Sequence, residues 1–172
     1  MKMAAFILLS LFIMSSLSFA QEQQPKVGKN HLIFSVAYAV VPEGRRDVDD
    51  KMVWAPAIGM GYDYWFWQDF GIGVRGGVEF AEYKVWYGDN DIIRENAATV
   101  VAIGLYKITD NLTFLFGPGV DIEWHRSFFA FKSGLRYEFK IGKKFDLGFT
   151  ISYDWKRKYN AIIPGLSLGR RF

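Results

Sequence analysis

Few residues in this chain have the types and spacing that chemistry requires. Among 172 residues there are two histidines and no cysteine. His125 and Ser127 stand two apart, with Glu123 beside them and Glu138 further on. A serine hydroxyl becomes a nucleophile when a histidine base lies within hydrogen-bond reach, so this group could hydrolyse an ester or amide. Gly71, Gly73 and Gly76 fit a G-x-G-x-x-G spacing. That spacing cradles a pyrophosphate only between a strand and a helix, and here strand alternation runs through it. Asp89-Asn90-Asp91 offers oxygens to a divalent cation but lacks the rest of a calcium-loop pattern, so it reads as a solvated loop tip. Asn111-Leu112-Thr113 fits a glycosylation acceptor but falls on a tight turn. His31 stands alone near the first strand and reads as structural. No cofactor or metal site is expected. The absence of thiols excludes thiolate zinc sites, cysteine nucleophiles, disulfide scaffolds and lipoprotein attachment. A net charge of +3 is too small to point to a nucleic-acid partner.

The elements that would position these residues show period two. From Phe145 to Trp155 the odd positions are Phe, Leu, Phe, Ile, Tyr and Trp, and the even ones are Asp, Gly, Thr, Ser and Asp. One face is apolar and the other small or polar, which is a half-greasy strand and not a helix. Seven further segments alternate in the same way, starting near Leu32, Trp54, Phe70, Thr99, Leu112, Phe129 and Ile162. In the Thr99 segment the apolar face is assigned to Thr99, Val101, Ile103 and Leu105. Near Ala81-Glu82 the phase slips before Tyr83 and Val85 resume the apolar face, which predicts a bulge.

Eight strands close into a barrel whose interior is only just wide enough for side chains. The bulky residues are too many to fit there, whereas Gly, Ala, Ser, Thr and paired charges do fit. The bulky face must therefore point outward, into hydrocarbon. Short turns at Gln68-Asp69, Asp110-Asn111 and Gly142-Lys143-Lys144 fall on one side. The connections Pro42 to Val53 and Gly88 to Arg94 fall on the other, with both barrel ends on the short-turn side. Tryptophans cluster at strand ends as two interfacial girdles: Trp54, Trp86, Trp124 and Trp155 at the loop end, Trp65 and Trp67 at the turn end. The fold class expected is all-β: a closed eight-stranded antiparallel up-and-down transmembrane barrel.

Residues 1–20 carry Lys2, an apolar run from Ala4 to Met14, and Ser18-Phe19-Ala20 as a cleavage site, which is the pattern of a signal peptide. Residues 21–29 form a short polar leader, and 30–172 the barrel. On this pattern the chain resembles the small eight-stranded outer-membrane barrels of the OmpX and OmpA-transmembrane-domain type. The resemblance implies residence in the outer membrane of a Gram-negative bacterium. Leu166, Leu168 and the final Phe172 look like the signal read by the barrel assembly machinery, with Arg170 departing from that pattern.

The inward positions carry Asp63, Arg75, Glu79, Asp121, Glu123, Lys132, Arg136, Glu138, Lys140, Asp146, Asp154 and Lys156. Unpaired charges in so narrow a space would cost several kcal/mol each, so a paired network within a solid plug is expected. Arg126, Lys156, Arg157 and Lys158 form a cationic group at the loop end suited to lipopolysaccharide phosphates. These features imply a structural or surface-interaction role, with lipopolysaccharide or a partner protein as the contact. Three alternatives stay open: an accessory subunit of an envelope complex, a small channel, and a lipid A-modifying hydrolase. The last rests on similarity of His125-x-Ser127 to the His-x-Ser pair of outer-membrane lipid A deacylases, although Phe128 stands where their motif has Asn.

Overall fold

In a computed structural model, residues 29–45, 52–87, 90–122, 127–157 and 159–172 are described. The signal segment and most of the leader lie outside them, as do Glu123, Trp124, His125, Arg126 and Lys158. Eleven strands follow in order: β1 (Asn30–Val41), β2 (Gly44–Arg45), β3 (Val53–Trp65), β4 (Phe70–Glu79), β5 (Glu82–Tyr87), β6 (Asn90–Glu95), β7 (Ala98–Lys107), β8 (Leu112–Ile122), β9 (Ser127–Ile141), β10 (Phe145–Lys156) and β11 (Asn160–Arg171). Eight of them close in the order β1-β11-β10-β9-β8-β7-β4-β3, and β3 pairs back to β1. All these pairs are antiparallel. The ends meet where Asn30 and Phe172 exchange backbone hydrogen bonds at 3.0 and 3.2 Å. Closure leaves the wall no unpaired edge, which is the condition for a sheet to sit in hydrocarbon. The three short turns lie where expected. The one between β9 and β10 uses Gly142 at φ 67°, a left-handed conformation that glycine adopts without a Cβ clash.

The outward face is apolar. Phe34, Ile58, Ile72, Phe116, Phe149 and Leu166 are all exposed on it. One strand reverses its expected side. In β7, Val101 is 1% exposed and Val100 is 45% exposed, so Thr99, Val101, Ile103 and Leu105 face the lumen. Both faces of β7 are apolar, so its alternation carries no contrast from which to choose a side. Glycines on the flanking strands make the inward choice fit. Gly119 pairs with Val101 and Gly71 with Leu105. A Cβ on Gly119 would press on the Val101 side chain at 2.6 Å. Trp65 is also corrected. It follows Asp63 in parity, turns inward, and packs with Val101, Ile103, Leu105 and Leu115. It is 5% exposed, against 69% for Trp67, so it is no part of the girdle. Trp54 and Trp155 do face outward.

The predicted bulge at Ala81-Glu82 is a strand end. β4 stops at Glu79, and the chain enters a separate three-stranded sheet, β2-β5-β6. Most of the expected loop Gly88 to Arg94 is strand β6, and Trp86 lies near the end of β5, off the barrel wall. Tyr83 and Val85 do not rejoin the outer face. They are buried against Ala39, Val41, Val53, Ala55, Tyr159 and Ala161 at the loop-end mouth. The hairpin therefore caps the lumen with apolar side chains.

Replacing each turn-end tryptophan by phenylalanine checks this assignment in vesicles of lipids brominated on their acyl chains. Trp67→Phe should lower the fraction of tryptophan emission that is quenched, and Trp65→Phe should raise it. A fall for Trp65→Phe would place that indole on the outer wall.

Candidate functional site in the barrel lumen

At the turn end the register brings seven side chains into one ring. Asp63 sits opposite His31 across β3 and β1, and Arg171 sits opposite His31 across β11. Both Asp63 oxygens accept from Arg75, at 2.6 and 2.9 Å, and Oδ2 also accepts from Arg136 Nη2 at 2.9 Å. Arg136 Nε lies 2.8 Å from Glu138 Oε1. Arg171 bridges onward, pairing through Nη2 with Glu138 and through Nε with Asp146 Oδ2 at 3.1 Å. His31 Nε2 reaches Asp146 Oδ2 at 3.0 Å, and its Nδ1 stands 3.8 Å from both Asp63 and Glu138. A carboxylate can only accept, so Nε2 carries the proton. Three arginines then face three carboxylates around the imidazole, and those six charges cancel. Space for the ring comes from glycine. A Cβ on Gly169 would collide with both His31 Nε2 and Asp146 Oδ1.

A second layer lies under the loop-end cap. Lys156 Nζ contacts Glu79 at 3.0 Å, Asp121 at 3.3 Å and the Tyr159 hydroxyl at 3.1 Å. Asp121 also pairs with Arg94 at 2.6 Å and accepts from Thr99 at 2.9 Å and Tyr159 at 3.0 Å. Lys132 pairs with Asp154 at 2.6 Å. The Arg94 guanidinium lies 5.0 Å from the Tyr159 ring centre. Tyr83 donates to Glu79 at 3.3 Å. Burial in the cap pushes the phenol pKa of both tyrosines well up, so Tyr83 and Tyr159 stay protonated donors. Three cations again meet three carboxylates.

Between the layers lies a cavity of about 130 Å³, lined by Ser35, Ser152, Ser167, Thr150, Arg75 and Lys132 among others. Most of the remaining lining is apolar, from residues such as Ile33, Val101, Leu115 and Ile163. The described interior is thus two ionic layers with a cavity between them.

Ten expected lumen residues join the two layers: Asp63, Arg75, Glu79, Asp121, Lys132, Arg136, Glu138, Asp146, Asp154 and Lys156. Lys140 keeps their parity but lies beyond the network, exposed at the turn-end rim. Lys156 is buried, so it is withdrawn from the lipopolysaccharide group, while Arg157 is exposed. His31 is not alone, and Arg171, Arg94, Tyr83 and Tyr159 join the layers unforeseen. Arg171 had a signal, because it continues the inward parity of Ser167 and Gly169; Arg94 had none. Ser127 begins β9 opposite Ile122 and is exposed, and its expected base His125 is outside the described residues. The donor atoms of His31, Glu138 and Asp146 lie within 4.8 Å of one another, as metal ligands would. The Arg171 guanidinium bridges the two carboxylates there, so the positive charge they require is supplied by the chain itself.

Asp63→Asn should leave Arg75 without its carboxylate and Arg136 with Glu138 alone, and cost roughly 3–5 kcal/mol. Lys140→Gln should cost under about 0.5 kcal/mol. Gly169→Ala should destabilise the turn-end ring, because His31 and Asp146 would have to move. Urea unfolding in detergent micelles measures all three, and equal losses for Asp63→Asn and Lys140→Gln would refute the ring.

No family model matches the chain, and no curated protein matches it. Solved structures do. Ail, the attachment invasion locus protein of Yersinia pestis, matches with TM-score 0.53 and 16% identity, covering 84% of this chain and 99% of Ail. OprG, an outer-membrane protein of Pseudomonas aeruginosa, matches with TM-score 0.54 and 11% identity over 88% of this chain and 99% of OprG. The neisserial surface protein NspA matches with TM-score 0.51 and 10% identity over 86% of this chain and all of NspA, at 100%. The chain therefore has the closed eight-stranded fold of small outer-membrane barrels.

Proposed function

We propose that this chain is an integral outer-membrane barrel whose role is structural and adhesive, with a closed lumen and a loop-end surface that makes the contacts. The observation that carries this reading is the outward wall. A closed barrel that exposes large apolar side chains on every strand of its wall is stable in lipid and aggregates in water. Export would be directed by residues 1–20. Leu166, Leu168 and Phe172 support recognition by the assembly machinery, since the two leucines are exposed on the last strand and Phe172 is exposed just after it.

Two neutral ionic layers and an apolar cap support closure, because an ion entering would meet no net opposite charge and would have to displace buried pairs. Exposed Arg157, together with Arg126 and Lys158, forms the group offered to lipopolysaccharide phosphates. A solved structure of Ail holds the heparin analogue sucrose octasulfate, so a barrel of this fold does bind a polyanion. No hydrolytic step is assigned to Ser127.

The mature chain should be monodisperse in detergent and aggregate in plain buffer; a monodisperse detergent-free product would refute membrane residence. In planar bilayers it should show no steady conductance in the nanosiemens range. Replacing Arg126, Arg157 and Lys158 by glutamine should lower the melting temperature in lipopolysaccharide more than in neutral detergent. An equal fall in both would remove the lipopolysaccharide contact.

A further inference from the structure

The two rims of the barrel differ in charge. At the loop end the exposed described residues mix signs: Arg45, Lys84 and Arg157 stand among Glu43 and Glu82. At the turn end they do not mix in the same way. Lys140, Lys143, Lys144, Arg170 and Lys29 are all exposed there. They occupy one continuous arc, from the β9–β10 turn across the end of β11 to the start of β1, following strands that are neighbours in the wall. The arc is held together by backbone bonds. Arg171 N–H donates to Lys144 O at 2.7 Å, and Asn30 pairs with Phe172. The carboxylates nearest in sequence, Glu138 and Asp146, are buried in the lumen ring and already paired. The exposed acids of this rim, Asp69 and Asp110, lie on the β3–β4 and β7–β8 turns, on the other half of the circle.

The wall just inside this arc is greasy. Phe139, Ile141, Phe145, Leu168 and Phe172 are exposed there, and the Arg170 guanidinium lies 5.9 Å from the centre of the Phe145 ring. Cations on flexible stems at the boundary of an apolar band sit at headgroup level, with their stems along the hydrocarbon. Each cation near an anionic lipid surface adds attraction, and the attraction is screened by salt.

We propose that this arc is a binding surface for anionic phospholipid headgroups in the leaflet on the turn side of the membrane. The inference rests on the membrane-spanning reading above and adds a lipid preference to it. It also gives a reason for Arg170, which faces outward where the assembly signal favours an apolar residue: its guanidinium caps Phe145 and completes the arc.

The test reconstitutes the chain in phosphatidylcholine vesicles containing spin-labelled phosphatidylglycerol or spin-labelled phosphatidylcholine. The wild type should hold the glycerol lipid roughly tenfold better than the choline lipid at low salt, and the preference should shrink in high salt. K140Q/K143Q/K144Q/R170Q should lose it, and the charge-preserving K140R/K143R/K144R should keep it. K84Q, at the other rim, should leave it unchanged. Wild type without preference, or a quadruple variant that retains it, overturns the proposal. Free inorganic phosphate that abolishes the preference at an ionic strength where chloride does not would assign the arc to a soluble anion and also overturn it. Failure of the wild type to insert into either vesicle is a separate result, and it would refute membrane residence itself. Heat-dependent mobility on electrophoresis confirms that each variant has folded.

Discussion

The closed ladder of eight strands sets a lumen so narrow that each side chain's direction becomes an energetic decision. Once β1 has paired with both β11 and β3, every residue on the wall faces either lipid or a tight interior. There is no third, solvated side of the kind an open sheet offers. Bulk is expelled outward by volume, and charge is drawn inward by solvation. The membrane surface and the ionic interior are two consequences of this one closure.

The interior shows how charge survives such confinement. Each ionic layer is neutral, and each carboxylate in the turn-end ring touches at least two positive or donor groups. Burying such pairs is not in itself strongly stabilising, because desolvation offsets the attraction. Its effect is on registry. A one-residue slip of β3 would turn Asp63 into lipid, leaving Arg75 without its carboxylate and Arg136 with Glu138 alone, which is far more costly than the slip of an apolar strand. Glycine is the complement of charge here. Gly169 is empty because His31 and Asp146 fill its space, and Gly73 is empty because Asp63 does.

The two ends then diverge. The loop end is covered by a hairpin that buries Tyr83 and Val85 against the mouth and pairs Arg94 with Asp121. The turn end is ringed on one half by exposed cations. A barrel built in this way presents different chemistry to the two sides of a membrane while its wall stays uniformly apolar.

The alternation in β10 alone determines a strand with one lipid face, and eight such segments with three tight turns determine the barrel. Parity was enough to place Asp63, Arg136 and Asp154 inside. It failed for β7, where both faces are apolar and the choice fell to the glycines of β4 and β8. It failed for residues 82–95, where a change of phase looks the same whether a strand bulges or leaves the sheet. Parity states which side a residue faces but not its height along the barrel. That is why Lys140 lies beyond the network and Lys156 lies within it, although both have inward parity. Height is fixed by the stagger between neighbouring strands, a relation among residues such as His31, Asp63 and Arg171 that are far apart in the chain and meet only when the ring closes.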